Sequence, residues 1–198
     1  MIVIVSATGS NLNSIKTAIE RLGHQVTVSN DIDVIDQASH VILPGVGTAQ
    51  LGMRQLKINK LVDVIRQLTC PVLGICLGMQ LLFEYSFESE VECLGVIPGC
   101  IHPLQTDIDL PIPHMGWNTI EWVVETPLAN GISEGSYVYF IHSFAVSVSQ
   151  QCLARTKYGI AFASIVQKDN FYGMQFHPEK SGRIGSQLLA NFCALRGS

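Results

Sequence analysis

Charged residues are scarce in this sequence. They account for 14% of the 198 residues, against about 25% in a typical globular protein, and the formal net charge is −4. A weakly negative chain without clustered Lys and Arg argues against nucleic-acid binding. Because hydrophobic residues reach 47%, we expect a large core or an apolar surface that meets a partner.

Long apolar runs and paired cysteines are missing as well. No stretch reaches the roughly 18 apolar residues of a membrane-spanning helix, and the opening MIVIV, without a basic segment, predicts a strand rather than a signal peptide. The six cysteines form no C-x-x-C pair, which predicts neither a zinc site nor a disulfide framework. We therefore expect a cytoplasmic protein with mostly buried cysteines and with no metal and no cofactor.

Hydrophobic periodicity predicts alternating strands and helices in the first half of the chain. Short apolar runs predict strands, and residues at helical spacing predict helices between them. The predicted strands are 2–5, 26–28, 40–45 and 72–75, with a buried helix over 77–83. Strands that alternate with helices imply a doubly wound, mostly parallel central sheet with helices on both faces.

After about residue 90 the pattern changes to alternating segments such as WNTIEWVV and YVYFIHSFAVSV. Gly, Asn and Asp separate many of them, which is typical of antiparallel strands. A last helix is predicted from the apolar face of Ile184, Leu188 and Phe192. No repeat or linker interrupts the chain, so we expect one α/β domain over residues 1–198 with an antiparallel second part.

The segment GICLG, residues 74–78, lies where a strand passes into a helix. This is the arrangement of a nucleophile elbow, with Cys76 in the place of serine and small residues two positions away on each side. The helix that begins at Leu77 directs its positive end at the sulfur, and the Leu77 amide is placed to bind an oxyanion. The alternative is a core cysteine whose glycines only ease packing.

A cysteine nucleophile needs a base, and FHPEKSG at 176–182 offers one. Pro178 favours an extended backbone at His177, and residues i and i+2 of an extended chain face the same side. Glu179 can therefore hold one imidazole nitrogen of His177 while the other faces Cys76. Their separation along the chain is no objection, because triads assemble in space.

Other polar residues leave alternatives open. His142 in YFIHSF also ends a predicted strand and is the rival base, whereas His24 and His40, at strand starts, are expected at the surface. PGVG at 44–47 could cradle an anion, although such a segment is usually only a turn. Gln80, on the same side of its helix as the cysteine, bonds either core backbone or a substrate.

The motifs GICLGMQ and FHPE resemble those of the class I (triad) glutamine amidotransferases, and the resemblance covers nearly the whole chain. PHMGWN at 113–118 and the Lys-Ser after HPE resemble the branch that serves histidine biosynthesis, the glutaminase subunits of imidazole glycerol phosphate synthase. Within the family, the glutaminases of anthranilate and aminodeoxychorismate synthases are the runner-up. A stand-alone cysteine hydrolase and a non-catalytic binding module are the alternatives outside it.

The resemblance implies a glutaminase reaction in which Cys76 attacks the glutamine amide, His177 transfers protons and Glu179 orients His177. It implies an oxyanion hole made by the Leu77 amide and the PGVG strand near Val46. The positions that match glutamine contacts are Gly47, Gln80, Ser143 and Phe144, and those that match a partner interface are Trp117, Asn118 and Lys180. The implied partner is a cyclase with a (β/α)₈-barrel fold, bound as a heterodimer, which receives ammonia through a tunnel.

The sequence departs from the family pattern in three places. Residues 6–10 read Ser-Ala-Thr-Gly-Ser where an Asp-Tyr-Gly-type segment is usual, and residues 50–53 vary the stretch after PGVG. Phe144 replaces the final Tyr of the usual His-Ser-Tyr, which suits a backbone contact and loses a hydroxyl. None of these changes touches the triad.

Overall fold

The computed structural model describes residues 1–6, 12–106 and 110–196, which form thirteen strands and six α-helices. The strands are β1 (Ile2–Val5), β2 (Val26–Ser29), β3 (His40–Gly45), β4 (Val72–Cys76), β5 (Tyr85–Ser86), β6 (Val91–Glu92), β7 (Cys100–Pro103), β8 (His114–Trp122), β9 (Ser136–His142), β10 (Phe144–Ala145), β11 (Cys152–Tyr158), β12 (Ile160–Lys168) and β13 (Phe171–Met174). The helices are α1 (Leu12–Arg21), α2 (Ile32–Asp36), α3 (Ala49–Ile58), α4 (Leu61–Gln67), α5 (Leu77–Leu81) and α6 (Gly182–Cys193). The sequence departure at 6–10 lies outside the described residues except for Ser6, and 50–53 lies within α3.

Nine strands form the main sheet in the order β2-β1-β3-β4-β13-β12-β11-β8-β9. The pairings from β2 to β13 are parallel and the remaining four are antiparallel. A smaller sheet has the order β10-β7-β5-β6. The α/β prediction, with a parallel central part and an antiparallel second part, is confirmed.

Helices cover both faces of the parallel part, as a doubly wound sheet requires. On β1, Val3 and Val5 join the apolar cluster that includes α3 and α4, whereas Ile2 and Ile4 join the cluster that includes α1 and α6. Successive side chains of a strand point to opposite faces, so one strand contributes to two cores. None of the helices formed by the described residues is long and apolar enough to cross a membrane.

The insertion of β13 beside β4 positions the functional residues. Met174 is the register partner of Ile75, although about a hundred residues separate them along the chain. Because parallel strands end at the same edge of a sheet, the segment after β13 emerges beside Cys76 at the end of β4. The fold thus joins the two motifs that the sequence analysis singled out.

Two local expectations are wrong. The buried helix predicted over 77–83 ends at Leu81, since the chain turns there and the amides of Leu82 and Phe83 bond carbonyls of the preceding turn. His40 is buried rather than exposed, and its Nε2 lies 3.0 Å from the carbonyl oxygen of Leu195. The C-terminal helix supplies that cover, with the ring of Phe192 packing edge-on against His40.

Candidate active site

Cys76 occupies a strained position between β4 and α5. Its backbone has φ +53° and ψ −112°, outside the regions that a non-glycine residue ordinarily adopts. Strain of this kind persists only where the surrounding structure enforces it, and it is concentrated at functional sites. The strand-turn-helix geometry is that of a nucleophile elbow.

Two glycines allow the elbow to pack this tightly. A Cβ atom added at Gly74 would lie 2.6 Å from both the carbonyl oxygen of Gly78 and the amide nitrogen of Met79. A Cβ atom at Gly78 would collide with the carbonyl oxygen of Leu43 in β3. The start of α5 therefore rests directly on the backbones of β3 and β4, and this close approach excludes any side chain at either position.

His177 and Glu179 meet Cys76 at the same edge of the sheet. The backbone of His177 is extended (φ −97°, ψ 97°), and its Nδ1 lies 2.9 Å from Oε1 of Glu179. The side chains of His177 and Glu179 are only 8% and 4% exposed, and the imidazole interacts electrostatically with the Cys76 side chain. The structure therefore brings together the three residues predicted as the triad.

Ser181 holds the loop that carries the histidine. Its hydroxyl donates to the carbonyl oxygen of His177 at 2.7 Å and accepts from the amide of Tyr139 at 2.9 Å, and the amide of His177 donates to the carbonyl of Tyr139 at 2.9 Å. Buried hydrogen bonds of this kind keep a side chain in one orientation. The serine of the HPEKS motif thus anchors His177 to β9.

The charge state of His177 follows from its neighbours. Burial lowers its pKa, but the hydrogen bonds to Cys76 and Glu179 outweigh burial and raise the pKa to about 9. A pKa of about 9 means that the imidazole is protonated at neutral pH, with its Nδ1 bonded to the Glu179 carboxylate and the Cys76 sulfur as its second charged neighbour. A cationic histidine in this position is ready to give a proton to a leaving group.

This raised pKa predicts a pH-dependent stability. The contribution of His177 to the free energy of unfolding is fully present below its ordinary pKa of 6.5 and is lost as pH rises through about 9. We expect a loss of about 3 kcal/mol across this window. Denaturant unfolding at several pH values would measure it. Cys76→Ser should flatten the profile because a hydroxyl is a weaker partner for the imidazolium, whereas Cys70→Ser should not; equal slopes in both variants would contradict the assignment.

A cleft of about 340 Å³ opens over the elbow. Eight of the predicted site residues line it, namely Val46, Gly47, Cys76, Leu77, Gln80, Ser143, Phe144 and His177. Its size suits a small polar metabolite, since ligand pockets begin at about 300 Å³. Glu179 lies behind His177, away from the cleft lining.

Glu88 is a cleft residue that the sequence analysis missed. It contributes a carboxylate to the lining, and its Oε2 accepts a hydrogen bond of 2.8 Å from the amide of Ala49 at the start of α3. Within the described residues it is the one acidic side chain that lines the cleft. Neither periodicity nor a motif marks Glu88 in the sequence. It reaches the cleft because the segment after β5 packs beside the start of α3.

The two alternatives for Gln80 are partly resolved. Its Nε2 donates to the carbonyl oxygen of Phe144 at 2.9 Å and to Oε1 of Gln175 at 3.0 Å, so the amide nitrogen bonds within the protein. Gln80 nevertheless lines the cleft. A substrate contact would therefore use the amide oxygen.

His142 also lines the cleft, but its two ring nitrogens are engaged elsewhere. Nδ1 lies 2.9 Å from the carbonyl oxygen of Phe144, and Nε2 lies 3.0 Å from Nδ1 of His114. Burial lowers the pKa of His142 to about 3 and that of His114 to about 4. The geometry therefore favours His177 over His142 as the base for Cys76.

The residues predicted at a partner interface lie outside the cleft lining. Trp117 is 56% exposed, and Lys180 is exposed in the turn after His177. Asn118 is turned inward, where its Nδ2 donates to the carbonyl oxygen of Lys157 at 3.1 Å and lies 3.3 Å from Nε2 of His114. Of the three, Trp117 and Lys180 present side chains to the surface.

Trp117 belongs to an exposed apolar surface on the β8–β9 hairpin. Met115 and Trp117 of β8 pair with Ile141 and Tyr139 of β9, and Tyr137 lies one repeat further along the same face. Met115 and Tyr137 are 58% and 61% exposed. These five residues, called the hairpin face below, form an exposed apolar surface of the kind that binds another protein.

Within the ranges that the structure describes, no group of three His, Cys, Asp or Glu side chains could hold a metal ion.

Comparison with known proteins agrees with this geometry. The family model for glutamine amidotransferase class-I matches residues 3–195. Imidazole glycerol phosphate synthase subunit HisH 2 of Legionella pneumophila strain Philadelphia 1 is 50% identical over 198 residues, covering 100% of both chains, and subunit HisH of Escherichia coli O157:H7 is 50% identical over 194 residues, covering 97% of this chain and 98% of the relative.

A solved structure shares the fold at much lower identity. The crystal structure of a glutamine amidotransferase is similar with a TM-score of 0.74 and 17% identity, covering 96% of this chain and 96% of that chain. At this identity the likeness concerns the fold alone, whereas the family match and the full-length relatives bear on ancestry. The chain belongs to the class-I glutamine amidotransferase family.

Proposed function

We propose that this chain is the glutaminase subunit of an imidazole glycerol phosphate synthase, built as one amidotransferase domain over residues 1–198 and working in the cytoplasm. The observation that carries the proposal is Cys76 on a strained elbow that shares one cleft with His177, whose imidazole is held by the buried carboxylate of Glu179. The 50% identity to HisH subunits over the whole chain supports the pathway.

The first half of the reaction forms a covalent intermediate. The Cys76 sulfur attacks the side-chain amide carbon of glutamine, and the oxyanion that develops is bound by the Leu77 amide and the strand at Val46. When the tetrahedral adduct collapses, the carbon–nitrogen bond breaks and His177 gives its Nε2 proton to the departing ammonia. The product that stays on the protein is a γ-glutamyl thioester.

The second half regenerates the cysteine. Neutral His177 takes a proton from water, the resulting hydroxide attacks the thioester, and the thiolate leaves beside the imidazolium again. Glu179 accepts from Nδ1 throughout, which keeps Nε2 directed at the reacting atoms. The net reaction converts glutamine and water to glutamate and ammonia.

The cleft also supplies the groups that an amino acid substrate requires. The Glu88 carboxylate is suited to the α-ammonium group, because it is the acidic group of the cleft lining that the structure describes. Gly47 and the backbone of Ser143 and Phe144 would hold the remaining polar atoms, with the amide oxygen of Gln80 near the same wall. Recognition of both ends of the amino acid would distinguish glutamine from simple amides.

The ammonia is used by a second protein. We propose a cyclase with a (β/α)₈-barrel fold that binds as a heterodimer over the hairpin face and Lys180 and receives ammonia through a tunnel. There the ammonia joins a phosphoribulosyl-carboxamide intermediate and yields imidazole glycerol phosphate and an aminoimidazole carboxamide ribotide. The exposed Trp117 at the centre of the hairpin face supports this docking site, since aromatic anchors dominate such interfaces.

The test is glutamine hydrolysis with and without the purified cyclase and its ligand. We expect the partner to raise the rate at least about tenfold. Trp117→Glu should weaken binding at least about thirtyfold, because it places a charge in the buried centre of the interface. Val148→Glu, on another exposed apolar position, is the matched control. Full turnover without the partner would instead favour a stand-alone cysteine hydrolase.

A further inference from the structure

Two buried histidines connect the hairpin to the cleft, and the mechanism above uses neither. His114 begins β8 and His142 ends β9, and the two are direct register partners. Both are buried, and His142 reaches the cleft lining next to Ser143 and Phe144. Buried polar side chains are costly unless each is fully hydrogen-bonded, so their bonding pattern is informative.

The hydrogen bonds of this pair have only one consistent direction. A backbone carbonyl only accepts, so Nδ1 of His142 carries the proton that bonds the Phe144 oxygen at 2.9 Å. Nε2 of His142 is then an acceptor, and Nδ1 of His114, 3.0 Å away, must be the donor. Nε2 of His114 is in turn an acceptor and faces the Asn118 amide nitrogen at 3.3 Å.

Asn118 fixes the outer end of this chain of bonds. Its Oδ1 accepts from the amide of Thr119 at 2.8 Å, and its Nδ2 donates to the carbonyl of Lys157 at 3.1 Å. These two bonds together fix which position of the side-chain amide is oxygen and which is nitrogen. The remaining Nδ2 hydrogen is available to His114. The series Asn118–His114–His142–Phe144, called the relay below, thus runs from the middle of β8 to the cleft with every donor and acceptor assigned.

The surroundings hold both rings neutral and in place. The ring of His114 is stacked between Phe140 and Tyr158, with centroid distances of 4.8 Å and 4.0 Å, and His142 packs edge-on against Phe162 at 4.9 Å. Burial lowers the pKa of both histidines far below neutrality. A proton added to either ring would set two N–H groups against each other, so the relay operates with neutral rings.

The inner end of the relay meets the elbow. The carbonyl oxygen of Phe144 accepts from His142 and also from Nε2 of Gln80, at 2.9 Å, and Gln80 lies on α5 directly after the nucleophile. This one carbonyl therefore joins the hairpin, the cleft wall and α5. Rotation of the Phe144 peptide would break both bonds and displace the wall at Ser143 and Phe144.

We propose that His114 and His142 are positioning residues for glutamine binding, which hold the Ser143–Phe144 backbone of the cleft through the relay. This inference rests on the proposed function for its substrate. The relay does not touch the reacting atoms, so it sets the affinity for glutamine rather than the rate of the chemical step. Its outer end lies beside Trp117, so a partner on the hairpin face would contact the same strand.

The kinetic test separates the effect of the Nδ1–H donor of His114 from the effect of its ring packing. His114→Phe keeps the stacked ring but removes the proton donor, and it should raise KM for glutamine about tenfold with kcat little changed. His114→Asn places an amide N–H near the position of Nδ1 and should restore KM, although the smaller side chain lowers Tm. Tyr158→Phe, which removes a neighbouring hydroxyl outside the relay, is the control.

Steady-state kinetics in the complex with the cyclase, together with Tm, would show whether His114 acts through its N–H donor or only through the packing of its ring. A KM that is high in His114→Phe and near wild type in His114→Asn would show that KM depends on the N–H donor at position 114, which supports the relay. If KM instead rises as Tm falls across the three variants, or if KM is unchanged in His114→Phe, the relay is overturned.

A second measurement does not depend on the substrate. Two-bond ¹H–¹⁵N spectra of the chain at neutral pH should show both histidines as neutral Nδ1–H tautomers, and the His142 signals should shift in His114→Phe. An Nε2–H tautomer or an imidazolium in either ring would overturn the relay whatever the substrate. Absence of glutamine hydrolysis by the wild-type complex would instead count against the proposed function.

Discussion

Cys76→Ala is expected to abolish glutamine hydrolysis, with a loss of at least about 10⁴-fold in kcat, because Cys76 carries the one thiol among the described residues that line the cleft. Glutamate release by the complex measures this directly. Added ammonium should still support synthesis by the cyclase in the same variant, since the ammonia source alone is lost. The result would separate a defect in the glutaminase reaction from a failure to fold or to bind the partner.

The matched control is Cys93→Ala, which removes a thiol that is buried in the core, away from the cleft lining, and that donates to the carbonyl of Val91. This variant should keep glutamine hydrolysis and lose some stability. Persisting hydrolysis in Cys76→Ala would remove Cys76 from the mechanism. Loss in both variants would show that hydrolysis reports on folding rather than on the nucleophile.

Gly78→Ala is expected to have the largest effect on stability. The added methyl group meets the carbonyl oxygen of Leu43, a backbone atom that cannot move without displacing β3. We expect a loss of about 3 kcal/mol or more in the free energy of unfolding. We also expect a fall of at least about 100-fold in kcat/KM, because α5 would shift and take the Leu77 amide with it.

Gly52→Ala provides the comparison for this prediction. Its added methyl group would lie 2.8 Å from Cδ1 of Leu81, the end of a side chain that can rotate away. Both glycines lie in helices, so the two substitutions share the same gain in helix propensity. Chemical denaturation and glutaminase assays of both variants would measure the difference. Equal stability of the two proteins would contradict the close packing of α5 on β3.

The parts of the fold and site that depend on local sequence could be predicted. Apolar periodicity predicted β1 to β4, and the flanking glycines pointed to the elbow, because both signals come from residues close together in the chain. The parallel pairing of β13 with β4 was not predicted, since the second part was expected to be antiparallel. The extended backbone at His177 follows from Pro178 in the same way. The structure brings these residues together in space, with Cys76 and His177 in one cleft and Glu179 bonded to His177.

The parts that depend on distant pairing could not be predicted. Glu88 enters the cleft and His114 enters the relay through contacts between separate elements. No spacing or motif marks Glu88, and the PHMGWN motif that contains His114 does not indicate its pairing with His142. His40 is buried because α6 returns to cover β3. Asn118 lies beside an exposed tryptophan, and only the path of β11 explains why its amide turns inward to Lys157.

The position of β13 has a consequence for the timing of activity. The ribosome makes β4 and its cysteine long before it makes β13, the last of the described strands, and the histidine follows β13. Until that strand pairs beside β4, Cys76 has no base and the sheet lacks the connection between its parallel and antiparallel parts. Under the proposed mechanism, a nascent or truncated chain would therefore carry a cysteine that cannot consume glutamine, and hydrolysis would begin only when the last strand is in place.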